Sequence, residues 1–158
     1  MFFTFRRLTW ERGSEKLRRR MPDMSTARRK ANRATQRDLD MRIEFMEGLV
    51  RRDPDYVDAL QLLGDHYTQR GRFSEGLEVD ERLARLDPEN ALVFYNLACS
   101  YSLTDQFDRA GLALEKAFSL GYRDFAWLAK DPDLKKFRQQ PDYDEIKAKI
   151  RRMKIKPR

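Results

Sequence analysis

The chain has one cysteine and one histidine in 158 residues, seven glycines, six prolines, and no apolar run longer than five. Each scarcity excludes something. Cys99 has no second cysteine with which to close an intrachain disulfide, and Cys99 with His66 is too small a set for a zinc cluster. The short apolar runs exclude a membrane-spanning helix. So few glycines and prolines do not suit the dense turns of a β-sandwich. No glycine-rich phosphate loop and no calcium-loop spacing is present. The start, Met1-Phe2-Phe3-Thr4-Phe5-Arg6-Arg7, meets charge too early for a signal-peptide core, although an Arg-rich, acid-poor start weakly resembles an organelle transit peptide. The expectation is a cytoplasmic, reduced, single-domain protein with no metal, no cofactor and no catalytic residues.

What is abundant is charge, at 37% of residues, with a formal net of +7. It is unevenly placed. Residues 1–37 carry 12 basic and 3 acidic side chains, residues 38–145 carry 14 and 23, and residues 146–158 carry 7 and none. An acidic middle therefore lies between two basic ends, a pattern that suggests terminal segments with contacts of their own. Residues 1–34 read as a basic arm in which Arg6, Arg7, Arg12, Arg18, Arg19, Arg20, Arg28, Arg29 and Lys30 accompany Phe2, Phe3, Phe5 and Trp10. Residues 149–158 read as a basic tail.

Thr35-x-x-Asp38 resembles a capping box, and Leu39, Ile43, Met46 and Val50 follow at helical spacing, so a first helix is expected over 36–52. Asp53-Pro54 should end it and then cap the next helix. Comparing the chain with itself at an offset of 34 residues aligns Asp53-Pro54 with Asp87-Pro88, Leu60 with Phe94, Leu63 with Leu97, and Gly64 with Ala98. It also aligns Tyr67 with Tyr101, Phe73 with Phe107, and Gly76 with Ala110. Seven matches in one register make a repeat, and a 34-residue helical period is that of tetratricopeptide units.

Residues 57–122 accordingly resemble two tetratricopeptide repeats, about 57–90 and 91–122. Leu60 stands where Trp is commonest, Asp80 where a large apolar residue is usual, and Tyr122 in place of the closing Pro. The resemblance implies an all-α fold: a short right-handed α-solenoid of antiparallel helix pairs, with an N-terminal half-repeat and C-terminal capping helices, over residues 35–148. Residues 123–148 resemble an end-of-array cap, with Trp127, Leu128, Leu134, Phe137, Tyr143 and Ile146 covering the core and Asp131-Pro132 and Gln140-Pro141 starting short helices.

In such repeats the first helix of each pair lines a concave channel. Here that implies Asp58, Gln61, Asp65, Thr68 and Gln69 from one repeat, and Leu92, Tyr95, Asn96, Cys99, Ser102 and Leu103 from the next. An exposed Tyr95 is the best single contact residue. The channel is acidic and polar at one end and apolar at the other, which suits a peptide or helix with a basic portion and an apolar anchor. In repeat domains that grip a C-terminal carboxylate, Lys and Asn stand where Gln61 and Asp65 stand here. Asn96 matches, but Asp65 would repel the ligand. The function expected is a non-enzymatic adaptor for an unidentified protein partner. The alternative is a factor associated with nucleic acid, a ribonucleoprotein or an acidic surface through its basic ends. A Cys99–His66 pair on adjacent first helices is a distant third, since no oxyanion site or orienting acid accompanies it. Nothing in the sequence sets the oligomeric state.

Overall fold

The computed structural model describes the backbone of residues 24–155 and the side chains of residues 28–154. Among the described residues all regular structure is helical: α1 (Met24–Arg52), α2 (Val57–Arg70), α3 (Phe73–Leu86), α4 (Ala91–Leu103), α5 (Phe107–Ser119), α6 (Phe125–Leu128), two 3₁₀ turns (Pro132–Leu134 and Phe137–Gln139) and α7 (Tyr143–Ile155). The chain divides into two units, one reaching Asp38 and one beginning at Leu39.

In the first unit the helix is already formed at Met24, not at Thr35. Thr35 is interior to it, and its hydroxyl donates to the Ala31 carbonyl at 3.1 Å. A hydroxyl bonded back into the preceding turn does not cap a helix start. The Ala, Arg and Lys residues before it are good helix formers and carry the helix through. Arg28, Arg29 and Lys30 are exposed on it, while Arg6, Arg7, Arg12, Arg18, Arg19 and Arg20 lie outside the described residues.

The second unit is a stack of helices. α2 packs on α3, α3 on α4, and α4 on α5. Leu39, Ile43, Leu60, Leu63, Tyr67, Val79, Leu83 and Val93 form one buried cluster. A second cluster joins Leu97, Ala98, Ala110, Leu114, Ala117 and Phe118 to the cap residues Leu128, Leu134, Phe137, Tyr143 and Ile146. Burying each Leu or Phe contributes about 1.5–3 kcal/mol. Trp127 departs from expectation: it is 44% exposed and lies beside the Lys130 ammonium, 5.5 Å from its ring centroid. The basic end departs too. α7 continues to Ile155, Ile150 and Met153 pack on the second cluster, and Lys149 pairs with Glu115 at 2.8 Å. Residues 149–155 are therefore docked helix and not tail.

The Asp-Pro pairs act one step earlier than expected. The Asp53 carbonyl accepts from the Tyr56 amide and the Asp87 carbonyl from the Asn90 amide, so each pair closes a turn before the helix starts. Asn90 is the N-cap of α4, accepting from the Leu92 amide at 3.0 Å. Asp131 does cap its 3₁₀ turn, accepting from the Asp133 amide at 2.9 Å. The proline at 141 is followed by a turn, and α7 begins at Tyr143.

The 34-residue register extends further than the apolar pattern. Gly71 has φ 80° between α2 and α3, and Asp105, 34 residues on, has φ 61° between α4 and α5. The Tyr67 hydroxyl donates to Glu47 at 2.8 Å, and the Tyr101 hydroxyl donates to Glu81 at 2.9 Å. An arginine lies over each ring, Arg72 at 4.4 Å and Arg109 at 5.6 Å. The Leu39–Arg52 part of α1 thus bears to α2 the relation that α3 bears to α4, as the second helix of a half-repeat must. Glu115, the next in register, is the residue that Lys149 holds.

Gly64 sets the closeness of α2 and α3. A Cβ built there would meet the Asp80 Oδ1 at 3.0 Å and the Val79 Cγ1 at 3.5 Å. Gly64→Leu is expected to lower unfolding stability by about 1–3 kcal/mol through overpacking, measured by urea denaturation. A loss near zero would mean that the two helices do not meet there.

Candidate functional site

The inner face of α2 and α4 bounds a cavity of about 370 Å³. From α2 it is lined by Gly64, Asp65, Thr68 and Gln69. From α4 it is lined by Tyr95, Asn96, Cys99, Ser100 and Leu103, with Asp80 of α3 behind. Its remaining wall is Trp127, Asp131, Pro132 and Asp133 from the C-terminal segment. Of the positions expected on the channel, Asp65, Thr68, Gln69, Tyr95, Asn96, Cys99 and Leu103 are brought together. Asp58, Gln61 and Leu92 are exposed outside the lining, and Ser102 is wholly buried.

Tyr95 is not the exposed contact residue that was expected. It is 5% exposed, its hydroxyl donates to the Asp131 Oδ2 at 2.5 Å, and its ring stacks on Tyr122 at 4.3 Å with 11° between planes. Ser102 donates to the Asp133 carbonyl at 2.8 Å, and the Cys99 Sγ lies 3.7 Å from the Asp131 Oδ2. The turn at Asp131–Asp133 therefore occupies the part of the channel that α4 would otherwise present. Burial, and then the hydrogen bond to Asp131, drives the Tyr95 phenol well above its ordinary range. Burial, and then the Asp131 charge, likewise drives the Cys99 thiol well up. A thiolate nucleophile needs the opposite surroundings, positive and partly open. His66 is half-buried, and its Nδ1 has no hydrogen-bond partner among the described residues.

The open part of the cavity is acidic. Asp65 and Asp133 face it, Asp80 and Asp131 lie buried behind them, and no lysine or arginine is among the lining residues. Burial raises the Asp65 carboxyl, partly offset by His66. Burial raises Asp133 as well, helped by the charges of Asp131 and Asp65. Asp80 is pushed up to about 6, first by burial and then by Asp65, against the Ser100 hydroxyl that donates to it at 2.5 Å. Asp80, Asp131, Asp133 and Trp127 were not among the channel positions read from the sequence. Asp80 had stood out only as an acid at an apolar position. Among the described residues no group of three or more His, Cys, Asp and Glu side chains could hold a metal ion, and no helix is long and apolar enough to cross a membrane.

The stacked helix pairs, the 34-residue register and its recurring tyrosine–glutamate bonds define the class: this is a tetratricopeptide-repeat protein, all-α and solenoidal. No family model matches the chain. It is similar to a chloroplastic protein of Arabidopsis thaliana, at 35% identity over 103 residues, covering 63% of this chain and 29% of that protein. It is similar to the peroxisomal targeting signal receptor of Komagataella phaffii, at 38% identity over 91 residues, covering 56% of this chain and 16% of the receptor. The chain thus spans less than a third of either relative's length. The crystal structure of MamA shares the fold, with a TM-score of 0.55 at 23% identity over 73% of this chain and 63% of that one.

Asp80 gives a pH test. Its folded pKa of about 6 lies above the unfolded value near 3.8, so the folded chain binds this proton more tightly. The resulting stabilisation is complete below the unfolded pKa and fades as pH rises through the folded one. Between pH 4, just above the unfolded pKa, and pH 7 the wild type is expected to lose roughly 2 kcal/mol relative to Asp80→Asn, at ~1.4 kcal/mol per pKa unit. Urea denaturation of both chains across that range measures the difference. Parallel pH profiles would contradict it.

Proposed function

We propose that the chain is a non-enzymatic, protein-binding adaptor whose groove takes a partner segment bearing a basic side chain beside an apolar one. The observation that carries this reading is the acidic cavity between α2 and α4, which holds four carboxylates and no cation among its lining residues. A lysine or arginine entering it would offset the burial, and then the repulsion from Asp131 and Asp65, that raise Asp133. Such complementarity gives orientation and specificity more than bulk affinity. Apolar contact is available at the rim. Trp127 is 44% exposed, and Leu103 of α4 lines the cavity beside Asn96 and Cys99. The Komagataella phaffii relative is by its name a receptor for a targeting signal, and a short protein segment is the type of ligand that this groove fits in size and charge.

A second reading rests on the first unit. Arg29, Arg33 and Arg37 recur one turn apart on α1 and, with Lys30 and Ala34, line one surface depression. A row of cations of this kind suits phosphates or an acidic partner surface.

Positional-scanning peptide arrays on the full chain separate the two readings. The groove reading expects selection of Lys or Arg with a neighbouring apolar residue. It also expects Asp65→Lys to weaken the best peptide by roughly tenfold or more. Binding that is indifferent to Asp65→Lys but lost when Arg29, Arg33 and Arg37 are all changed to Gln would move the function to the basic helix.

A further inference from the structure

From Leu39 onward α1 has two unlike faces. Leu39 and Ile43 are buried, and Met46 and Val50 pack beside them in the core cluster shared with α2 and α3. On the opposite face Met41 and Phe45 are each 63% exposed, and with Glu44, Gly48 and Arg52 they line a shallow depression. Two large apolar side chains four residues apart on an outer helix face form a contiguous patch, the kind of surface that marks a contact site.

Gly48 lies at the centre of this face, and the packing of the described residues does not explain it. It is interior to the helix, where glycine costs about 1 kcal/mol relative to alanine. A Cβ there would meet only the Arg51 guanidinium, at 3.7 Å. Elsewhere in the chain a small helical residue lets a neighbouring helix come close, as Gly64 does for α3. At Gly48 no described helix takes that place.

The charges on the same ridge indicate which neighbour. Glu44 lies four residues before Gly48 and Arg52 four after it, so the three share one i±4 row. Both charged residues are exposed, and neither forms an ion pair among the described residues. Two copies of this helix crossing antiparallel at Gly48 bring Glu44 of each opposite Arg52 of the other. The same crossing lays the Met41 and Phe45 side chains along the seam. A two-fold contact requires a self-complementary patch of this form.

We propose that this face of α1 pairs two copies of the chain in a symmetric dimer, with Gly48 at the crossing point and two Glu44–Arg52 ion pairs flanking it. The proposal uses no residue of the groove and stands apart from the function assigned to it. The contact covers about three turns of one helix, less than standard interfaces of ~1,600 Å², so the dimer is weak and reversible.

Sedimentation equilibrium of the full chain across low to high micromolar concentration tests it. Wild type should show a monomer–dimer equilibrium. Glu44→Arg and Arg52→Glu should each be monomeric alone, because each faces its own kind of charge across the two-fold. An equimolar mixture of the two variants should recover the dimer, and so should the chain carrying both changes. Phe45→Asp should be monomeric with an unchanged helical circular dichroism spectrum. A wild type that stays monomeric throughout, single variants that still dimerise, or a mixture that does not recover pairing would each overturn the proposal.

Discussion

The buried carboxylate of Asp131 holds the C-terminal half of this fold together. It is 4% exposed, and both of its oxygens are occupied, one by the Tyr95 hydroxyl and the other by the Asp133 amide. A buried charge left without such partners costs several kcal/mol, so the contact fixes geometry as well as adding stability. The turn it organises sits against α4, and Leu134 and Phe137 follow directly into the core, both fully buried. A helical stack needs the apolar face of each helix pair covered by a neighbouring element. Here the cover is fastened by a polar latch and then filled with aromatic and aliphatic side chains.

That latch also shapes the channel. Tyr95, Cys99 and Ser102 point into what would be the binding face of the second repeat, and each is engaged by the turn at Asp131–Asp133. What remains open is bounded by Asp65, Thr68 and Gln69 on one side and by Asn96, Leu103 and the turn on the other. The cap contributes Asp131 and Asp133 to an interior that already has Asp65 and Asp80. The same segment that covers the second repeat's apolar face thus concentrates negative charge in the groove, and this ties the proposed preference for a basic side chain to that cover.

Much of the fold was legible in the sequence because packing between successive helix pairs imposes one spacing on many residues. Leu63 and Leu97, Tyr67 and Tyr101, and Gly64 and Ala98 recur at 34 residues since each occupies the same place in its pair. Glu47, Glu81 and Glu115 keep that spacing as well, and attention to polar residues in the register would have found the tyrosine–glutamate bonds. The site was less legible. The exposure of Tyr95 depends on a segment 36 residues further on, and no local pattern around Tyr95 reports that contact. The start of α1 was misplaced because Thr35-x-x-Asp38 satisfies a capping pattern that a hydroxyl bonded within a helix also satisfies. The basic residues of α7 read as tail because Ile150 and Met153 are sparse among lysines and arginines, yet those two reach the core.

With Asp131 bonded to both Tyr95 and Asp133, the cap and the second repeat should unfold as one cooperative structure. Native-state hydrogen exchange on the full chain tests it most directly. The core amides of α4 and α5 and the amides of Lys135 and Gln140, which close the two 3₁₀ turns, are expected to open together with the same free energy. Asp131→Ala is expected to lower that shared value without separating the two sets. Exchange at Lys135 and Gln140 through a separate, low-energy opening that leaves α4 protected would contradict it, for then the cap would be a loose cover and the groove wall it forms would not be fixed.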